Sequence, residues 1–294
     1  FSHLWYGRPP TPDISGCFIG WSGTSGIVTK ASIRLWPNWV TNPWSITAAT
    51  FRKGIEIEKV LFKTGFSFSD VTAVNHSWGM MMKGFYASDL DRVPYKAEEK
   101  GFPDYFGTVR LYASSEKEMA VKVESLVELV GKMGGEARYA ANVIAETKQN
   151  ELGTIPLTAF ELPVQAFGTW NFAGGGGEWC GVYTPLSMLA DYYEKAREIS
   201  VRYGKHGLFY HRGMDGGHSH VGRLNIEFNK GDADDVQNSR KCLMEIDDLA
   251  RDMGLVRYKA PYWAATREVA HGHPDSIEFL KQLKKLMDPE GIMN

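Results

Sequence analysis

The chain has 294 residues, a formal net charge of −2, and 43% hydrophobic against 23% charged residues. These are the proportions of an ordinary globular protein, long enough for one large domain or two smaller ones. The charge gives no footing for a nucleic-acid or anionic-membrane partner, and no uninterrupted apolar run approaches the roughly 20 residues that span a bilayer.

Three cysteines, Cys17, Cys180 and Cys242, stand far apart with no Cys-x-x-Cys pair. That argues against a disulfide framework or an iron–sulfur or zinc centre, and for a reducing, cytoplasmic setting. The opening residues, Phe1-Ser2-His3-Leu4-Trp5, carry no basic region followed by an apolar stretch, so no secretory signal is read there.

In chain order, a proline-rich lead (Pro9, Pro10, Pro12) precedes Ser22-Gly23-Thr24-Ser25-Gly26-Ile27-Val28-Thr29-Lys30. Glycines and small residues let a backbone approach a ligand closely and take φ > 0. The β-branched run beyond, with Ile33 and Leu35, predicts a buried strand, and Pro37 and Pro43 act as stops. Phe106–Tyr112 alternates as a strand. Ser115 then opens a helix with Glu118 three residues on as a capping box. Met119, Val123, Leu126, Val127, Val130 and Met133 follow helical spacing, and Gly134-Gly135 closes the helix.

Pro185 to Tyr203 predicts another helix. Leu224–Phe228 predicts a strand, followed by a helix with Val236, Leu243, Ile246, Ala250 and Met253 on one face and Gly254 at its end. Two such strand–helix units about 120 residues apart predict an antiparallel sheet covered by helices, a ferredoxin-like α+β arrangement. A final helix over Ser276–Met287 leads into Asp288-Pro289-Glu290-Gly291-Ile292-Met293-Asn294.

Three features are candidates for chemistry. The run His211-Arg-Gly213-Met-Asp215-Gly-Gly217-His218-Ser-His220 gathers three of the eight histidines in ten residues. His220 is a candidate base, because an imidazole titrates near neutral pH. Arg257-Tyr258 follows the last cap helix, and a guanidinium there is a permanent cation able to stabilise an anion. Gly174-Gly175-Gly176-Gly177-Glu178-Trp179-Cys180 reads as a flexible turn or a close approach to a ring.

The segment Phe18–Pro37 resembles the end of the FAD-binding domain in the vanillyl-alcohol oxidase / p-cresol methylhydroxylase flavoprotein family, whose fold D-lactate and glycolate dehydrogenases share. The closing segment Asp288–Asn294 is similar to that family's last residues, which return to the same domain. The resemblance implies a split architecture: residues 1–45 and 255–294 from a PCMH-type FAD-binding domain, and 46–254 as a ferredoxin-like substrate cap. It implies FAD held without a covalent link, in contact with Ser22, Gly23, Thr24, Ser25, Gly26, Ile27, Val28, Cys180, Arg257 and Asn294. The stretch that holds the pyrophosphate loop in the family has no counterpart here, which implies a partner polypeptide supplying it, in an oligomer.

His211 and His218 keep the spacing of a metal-binding element in the 2-hydroxyacid dehydrogenases, but the aspartate is displaced by one position. The Glu-His-Gly turn of those enzymes is replaced by Val256-Arg257-Tyr258-Lys259-Ala260-Pro261. Two imidazoles alone are an incomplete site for a hard cation. In the aromatic-alcohol branch an arginine stands where Arg257 does, while Val256 replaces a phenol-binding tyrosine, leaving Tyr258 or Tyr262 for that role. The position matching the family's histidyl FAD link is Cys180.

The activity implied is hydride removal from an aromatic alcohol or alkylphenol to flavin N5, with His218, His220, Arg257 and Tyr258 around the substrate. Two alternatives stay open. One is a D-lactate- or glycolate-type dehydrogenase carrying a divalent metal on His211 and His218. The other is a non-catalytic subunit that keeps the fold.

Overall fold

The computed structural model describes residues 18, 23–24, 26–32, 35, 37–65, 71–75, 103–139, 174–258, 263–264, 267 and 274–293. The chain divides into two compact units, one of residues 39–258 and one of residues 1–38 together with 259–294.

The larger unit runs β1 (Val40–Ala48), α1 (Phe51–Thr64), β2 (Val71–Asn75), β3 (Tyr105–Ala113), α2 (Glu116–Lys132) and β4 (Gly135–Tyr139). It continues through β5 (Gly175–Thr184), α3 (Leu186–Arg202), β6 (Leu208–Met214), β7 (Ser219–Asn229), α4 (Ala233–Asp252) and β8 (Val256–Arg257). One sheet of eight strands results, in the order β4-β1-β3-β2-β6-β7-β5-β8, and every neighbouring pair is antiparallel.

Each half is a β-α-β-β-α-β unit whose fourth strand pairs with its first, first with third and third with second, the ferredoxin-like pattern. The halves join through their second strands, with Thr72 opposite Arg212, Ala73 opposite His211 and Val74 opposite Tyr210. The two strand–helix units legible in the sequence are β3–α2 and β7–α4, which occupy the same place in each half.

Burial in β3 alternates strictly, odd positions from Tyr105 to Ala113 being buried and the even ones half-exposed. That is the period of a sheet with helices on one face. On the helix face Phe51, Ile55 and Leu61 of α1 and Leu189, Tyr192 and Tyr193 of α3 are buried. The Phe51 ring lies 4.1 Å from Tyr193 and 5.3 Å from Phe209.

The helices begin at side-chain caps: Thr50 Oγ1 accepts from Lys53 N, Ser115 Oγ from Glu118 N, and an Asp232 oxygen from Asp234 N and Asp235 N. Glu118 reaches back to Ser114 N, one residue before the cap. Of the helix face expected for α2, Met119, Leu126 and Val130 are buried, whereas Val127 is exposed.

Three local expectations change. Pro43 does not stop the chain; it lies in β1 opposite Arg110. β4 pairs with β1 only from Trp44 onward, so Pro43 sits where the strand is locally an edge and a residue without an N–H is tolerated. The glycine run is a strand, because Gly176 stands opposite Phe228 and a Cβ there would lie 2.3 Å from that ring. β1 and β8 belong to the sheet of the larger unit, so Arg257 is a strand residue of that unit.

In the smaller unit α5 (Pro274–Met287) carries Lys284, whose ammonium donates to the carbonyls of Thr24 and Met293, both at 2.6 Å, and pairs with Asp288. Asp288 in turn accepts from Ile292 N and Met293 N. The Gly23–Gly26 turn and the closing segment are thereby fastened to one ammonium. Residues 26–32 have no regular structure, and Ile27, Val28 and Leu35 are 81%, 60% and 81% exposed. The buried strand expected there is not formed, since no described strand pairs with it. Ile33 lies outside the described residues. Among the described residues no helix is long and apolar enough to cross a membrane.

Candidate functional site

The hairpin of β6 and β7 decides what the histidine run does. Side chains alternate, so Phe209 and His211 of β6 face the helices while Tyr210 and Arg212 face the other way. In β7 Gly222 meets Leu189 and Phe209, which puts His220, Gly222 and Leu224 on the helix face and Val221 and Arg223 on the opposite one, where Val221 and Tyr210 are buried as well.

His211 and His220 are both fully buried, with rings 6.0 Å apart. His211 Nε2 lies 2.8 Å from Glu58 Oε1 of α1, and Tyr105 of β3 donates its hydroxyl to the same oxygen. Burial raises the Tyr105 hydroxyl pKa, and the Glu58 charge adds to it. His220 has no hydrogen-bond partner on either nitrogen among the described residues. Burial lowers its pKa to about 4, with His211 pushing the same way and Glu58 opposing. The imidazole is therefore neutral at physiological pH.

His218 is exposed on the turn before β7, so the pair expected to hold a divalent metal is split between a core and a surface. Among the described residues no group of three His, Cys, Asp or Glu is arranged to hold a metal ion.

Arg257 and Cys180 also turn to the helix side. Arg257 pairs with Val182 across β8 and β5. Its Nε lies 3.0 Å from Asp247 Oδ1 of α4, where the two side chains are 5% and 1% exposed, and its Nη1 touches Cys180 Sγ. Cys180 is fully buried against Tyr192, and burial raises its thiol pKa. Arg257 and Cys180, the two positions expected to contact a flavin, thus lie in the helix layer as an internal ion pair and a buried thiol. Two charges inside a core persist only when paired, and Asp247 supplies that pair. His220, the candidate base, is likewise buried on the helix side.

The face away from the helices carries a different set. The Arg223 guanidinium carbon lies 5.1 Å from the Trp179 ring centre, 5.2 Å from Tyr258 and 5.6 Å from Tyr210. Arg223 stands opposite Gly181 on one side and Tyr210 on the other. The missing side chain at Gly181 makes room for Tyr258, whose N–H donates to Gly181 O at 2.9 Å and whose ring lies 3.1 Å from where a Cβ would be. Tyr183 closes the group, 5.1 Å from Tyr258 and edge-on.

Arg212, exposed, stands opposite Val221, one diagonal step from Arg223. Neither arginine meets a carboxylate among the described residues, and the acid further along that face of β7, Glu227, is taken by His206 N at 2.8 Å. Burial raises the Tyr210 hydroxyl pKa although Arg212 and Arg223 pull it down, and burial with Tyr258 raises that of Tyr183.

Of the predicted site residues, the structure places only Tyr258 in this group. Gly23, Thr24, Gly26, Ile27 and Val28 belong to the smaller unit. Ser22, Ser25, Tyr262 and Asn294 lie outside the described residues. Arg223 had a signal in the sequence: an arginine after a glycine, directly before the predicted strand. It was missed because the predicted strand began at Leu224.

Against known proteins, no family model and no curated protein sequence matches this chain. Solved structures do. A substrate-bound p-cresol methylhydroxylase is similar over 85% of this chain and 51% of its own, at 13% identity and TM-score 0.68. The 4-ethylphenol oxidase from Gulosibacter chungangensis, in its isoeugenol complex, is similar over 89% and 54%, at 11% identity and TM-score 0.66. An alkyldihydroxyacetonephosphate synthase follows with 96% and 49%, at 11% identity and TM-score 0.57. The chain spans about half the length of these proteins. The likeness establishes the fold: α+β, with the ferredoxin-like antiparallel sheet described above.

Proposed function

We propose that this chain is the cap-bearing part of an FAD-dependent oxidoreductase that takes hydride from an aromatic alcohol or alkylphenol. The observation that carries the reading is the sheet face away from the helices, where three aromatic rings surround an arginine with no acid partner among the described residues, on a fold shared with a p-cresol methylhydroxylase and a 4-ethylphenol oxidase. Flat rings suit a planar conjugated ligand, and a guanidinium suits the negative charge that such a ring or its substrate carries. The residues present thus fit a flavin or the aromatic substrate beside it.

When bound, the flavin accepts the hydride at N5. What this chain adds is placement: Tyr258 and Trp179 as walls, Tyr183 at the rim and Arg223 as the cation. His220 lies on the opposite face and is not carried forward as the base.

The remaining part of the flavin domain comes, on this reading, from a partner polypeptide in an oligomer. The half-length match and the exposed Ile27, Val28, Leu35, Leu286 and Ile292 of the smaller unit support it. The buried free thiols Cys180 and Cys242 suit a reducing, cytoplasmic compartment.

The test is a visible absorbance spectrum of the assembly purified with its companions. Flavin bands that bleach on adding a benzylic alcohol, unchanged by a chelator, are the expected result. Bleaching by lactate and sensitivity to the chelator would point to the 2-hydroxyacid branch. Absence of the bands would leave a non-catalytic subunit.

A further inference from the structure

One cation ties three parts of the smaller unit together. Lys284 of α5 donates to the carbonyls of Thr24 and Met293, each at 2.6 Å, and pairs with the Asp288 carboxylate one turn on. An ammonium has three N–H donors, and three oxygens meet it here. The donors are used up inside the fold, which makes Lys284 a fastener and not a group that reaches substrate. Asp288 acts on the same joint. Its side chain is 6% exposed and accepts from Ile292 N and Met293 N, both at 2.9 Å.

The Gly23–Gly26 turn is what this clasp anchors. Gly23 has φ +80° and Gly26 φ +140°, and a Cβ at either would meet nothing within 4 Å. The turn is weakly closed by itself, since the bond from Gly26 N to Gly23 O is 3.5 Å long. Residues 27–32 beyond it are exposed and outside any regular element. A backbone that is open on its glycine side can be approached closely by a ligand. The charge-assisted bond from Lys284 to Thr24 O gives it a fixed place.

We propose that Lys284 is a positioning residue: the Lys284–Asp288 clasp holds the Gly23–Gly26 backbone where it approaches a flavin. The identity of that ligand rests on the FAD reading above, whereas the clasp does not. A backbone that contacts a ligand has to be held within roughly 0.5 Å of its working place, so loosening the clasp weakens binding. The eight-stranded sheet belongs to the other unit and keeps its own core.

The test combines FAD reconstitution with amide hydrogen exchange on the assembly purified with its companions, comparing wild type, Lys284→Met and Lys284→Arg. In Lys284→Met, FAD affinity falls at least about tenfold, because charge-assisted hydrogen bonds are lost. Exchange in residues 23–30 and 288–294 rises at least about threefold, while residues 105–113 and 208–214 of the sheet exchange as in wild type. Lys284→Arg keeps the charge should the methionine variant fail to fold. Its donors lie in a plane and cannot converge on the same three oxygens, so it binds FAD about three- to tenfold more weakly than wild type.

An FAD affinity within about twofold of wild type in either folded variant, or unchanged exchange of residues 23–30 in Lys284→Met, would overturn the assignment. Exchange raised equally in the sheet would do the same, because Lys284 would then be a general stabiliser. A wild-type assembly that binds no FAD overturns the flavin reading instead, and the exchange of residues 23–30 then decides the clasp by itself.

Discussion

Two arginines on the second half of the sheet, Arg223 and Arg257, are separated by the thickness of one strand layer and live by opposite rules. Arg257 points into the helix layer, where Asp247 and Cys180 close around it. Arg223 points to the face away from the helices, where rings hold it and no described carboxylate answers it. The same division separates Glu58, which Tyr105 and His211 share, from the acid-free surroundings of Arg212. A charge can be satisfied inside a fold by an acid or held by the faces of aromatic rings, and the two arginines show one case each.

The comparison breaks first at Asp247. Asp247→Leu leaves Arg257 buried without its counter-ion, and unfolding in urea should show a loss of about 3–5 kcal/mol. A loss under about 1 kcal/mol would mean that Arg257 is not a core charge and would return it to the candidate site.

Acid comes next. His220 is neutral in the folded chain, with a pKa of about 4, and takes up a proton near its ordinary value once unfolded. The unfolded state then binds more protons as pH falls from about 6.5 to 4, so stability is full above this window and about 3 kcal/mol is lost across it. Denaturant midpoints against pH should show that slope, and His220→Leu should flatten it. An unchanged slope would place the titrating group elsewhere.

A smaller effect is expected at Gly181→Ala, where the new methyl would lie 3.0 Å from the Tyr258 carbonyl oxygen and 3.1 Å from its ring, so that Tyr258 must give way. A loss of about 1–2 kcal/mol in thermal unfolding is the expected readout. The least change in stability belongs to Arg223→Met. Its cation–π contacts are worth about 1 kcal/mol at a half-exposed site. A fall comparable to that of Asp247→Leu would make Arg223 a structural charge too.

Much of the fold was legible because it is written in local periods. Phe106–Tyr112 alternates and becomes β3; the Ser115 cap and Met119, Leu126 and Val130 make α2; Leu243, Ile246 and Ala250 bury α4. Even the duplication showed, as a repeated strand–helix pair. The ladder of β5 was hidden, because a glycine run has the composition of a turn and only Phe228 across the strand explains why no side chain fits. β1 was hidden by Pro43, whose tolerance depends on where β4 ends.

The candidate site was far less legible. His211, His218, His220, Arg257 and Cys180 were chosen for their chemistry, and sequence spacing carries no sign of which face a strand presents. One residue of register reverses it. The sequence by itself determined an α+β chain with two related halves, a glycine turn and closing segment like those of flavoproteins, and the residue types that could do chemistry. Tertiary structure alone decided which charges meet a partner, because Asp247 reaches Arg257 from α4 and Glu58 reaches His211 from α1, both across long stretches of chain. It left Arg223 to aromatic rings because the face away from the helices brings three of them to that guanidinium and no described acid.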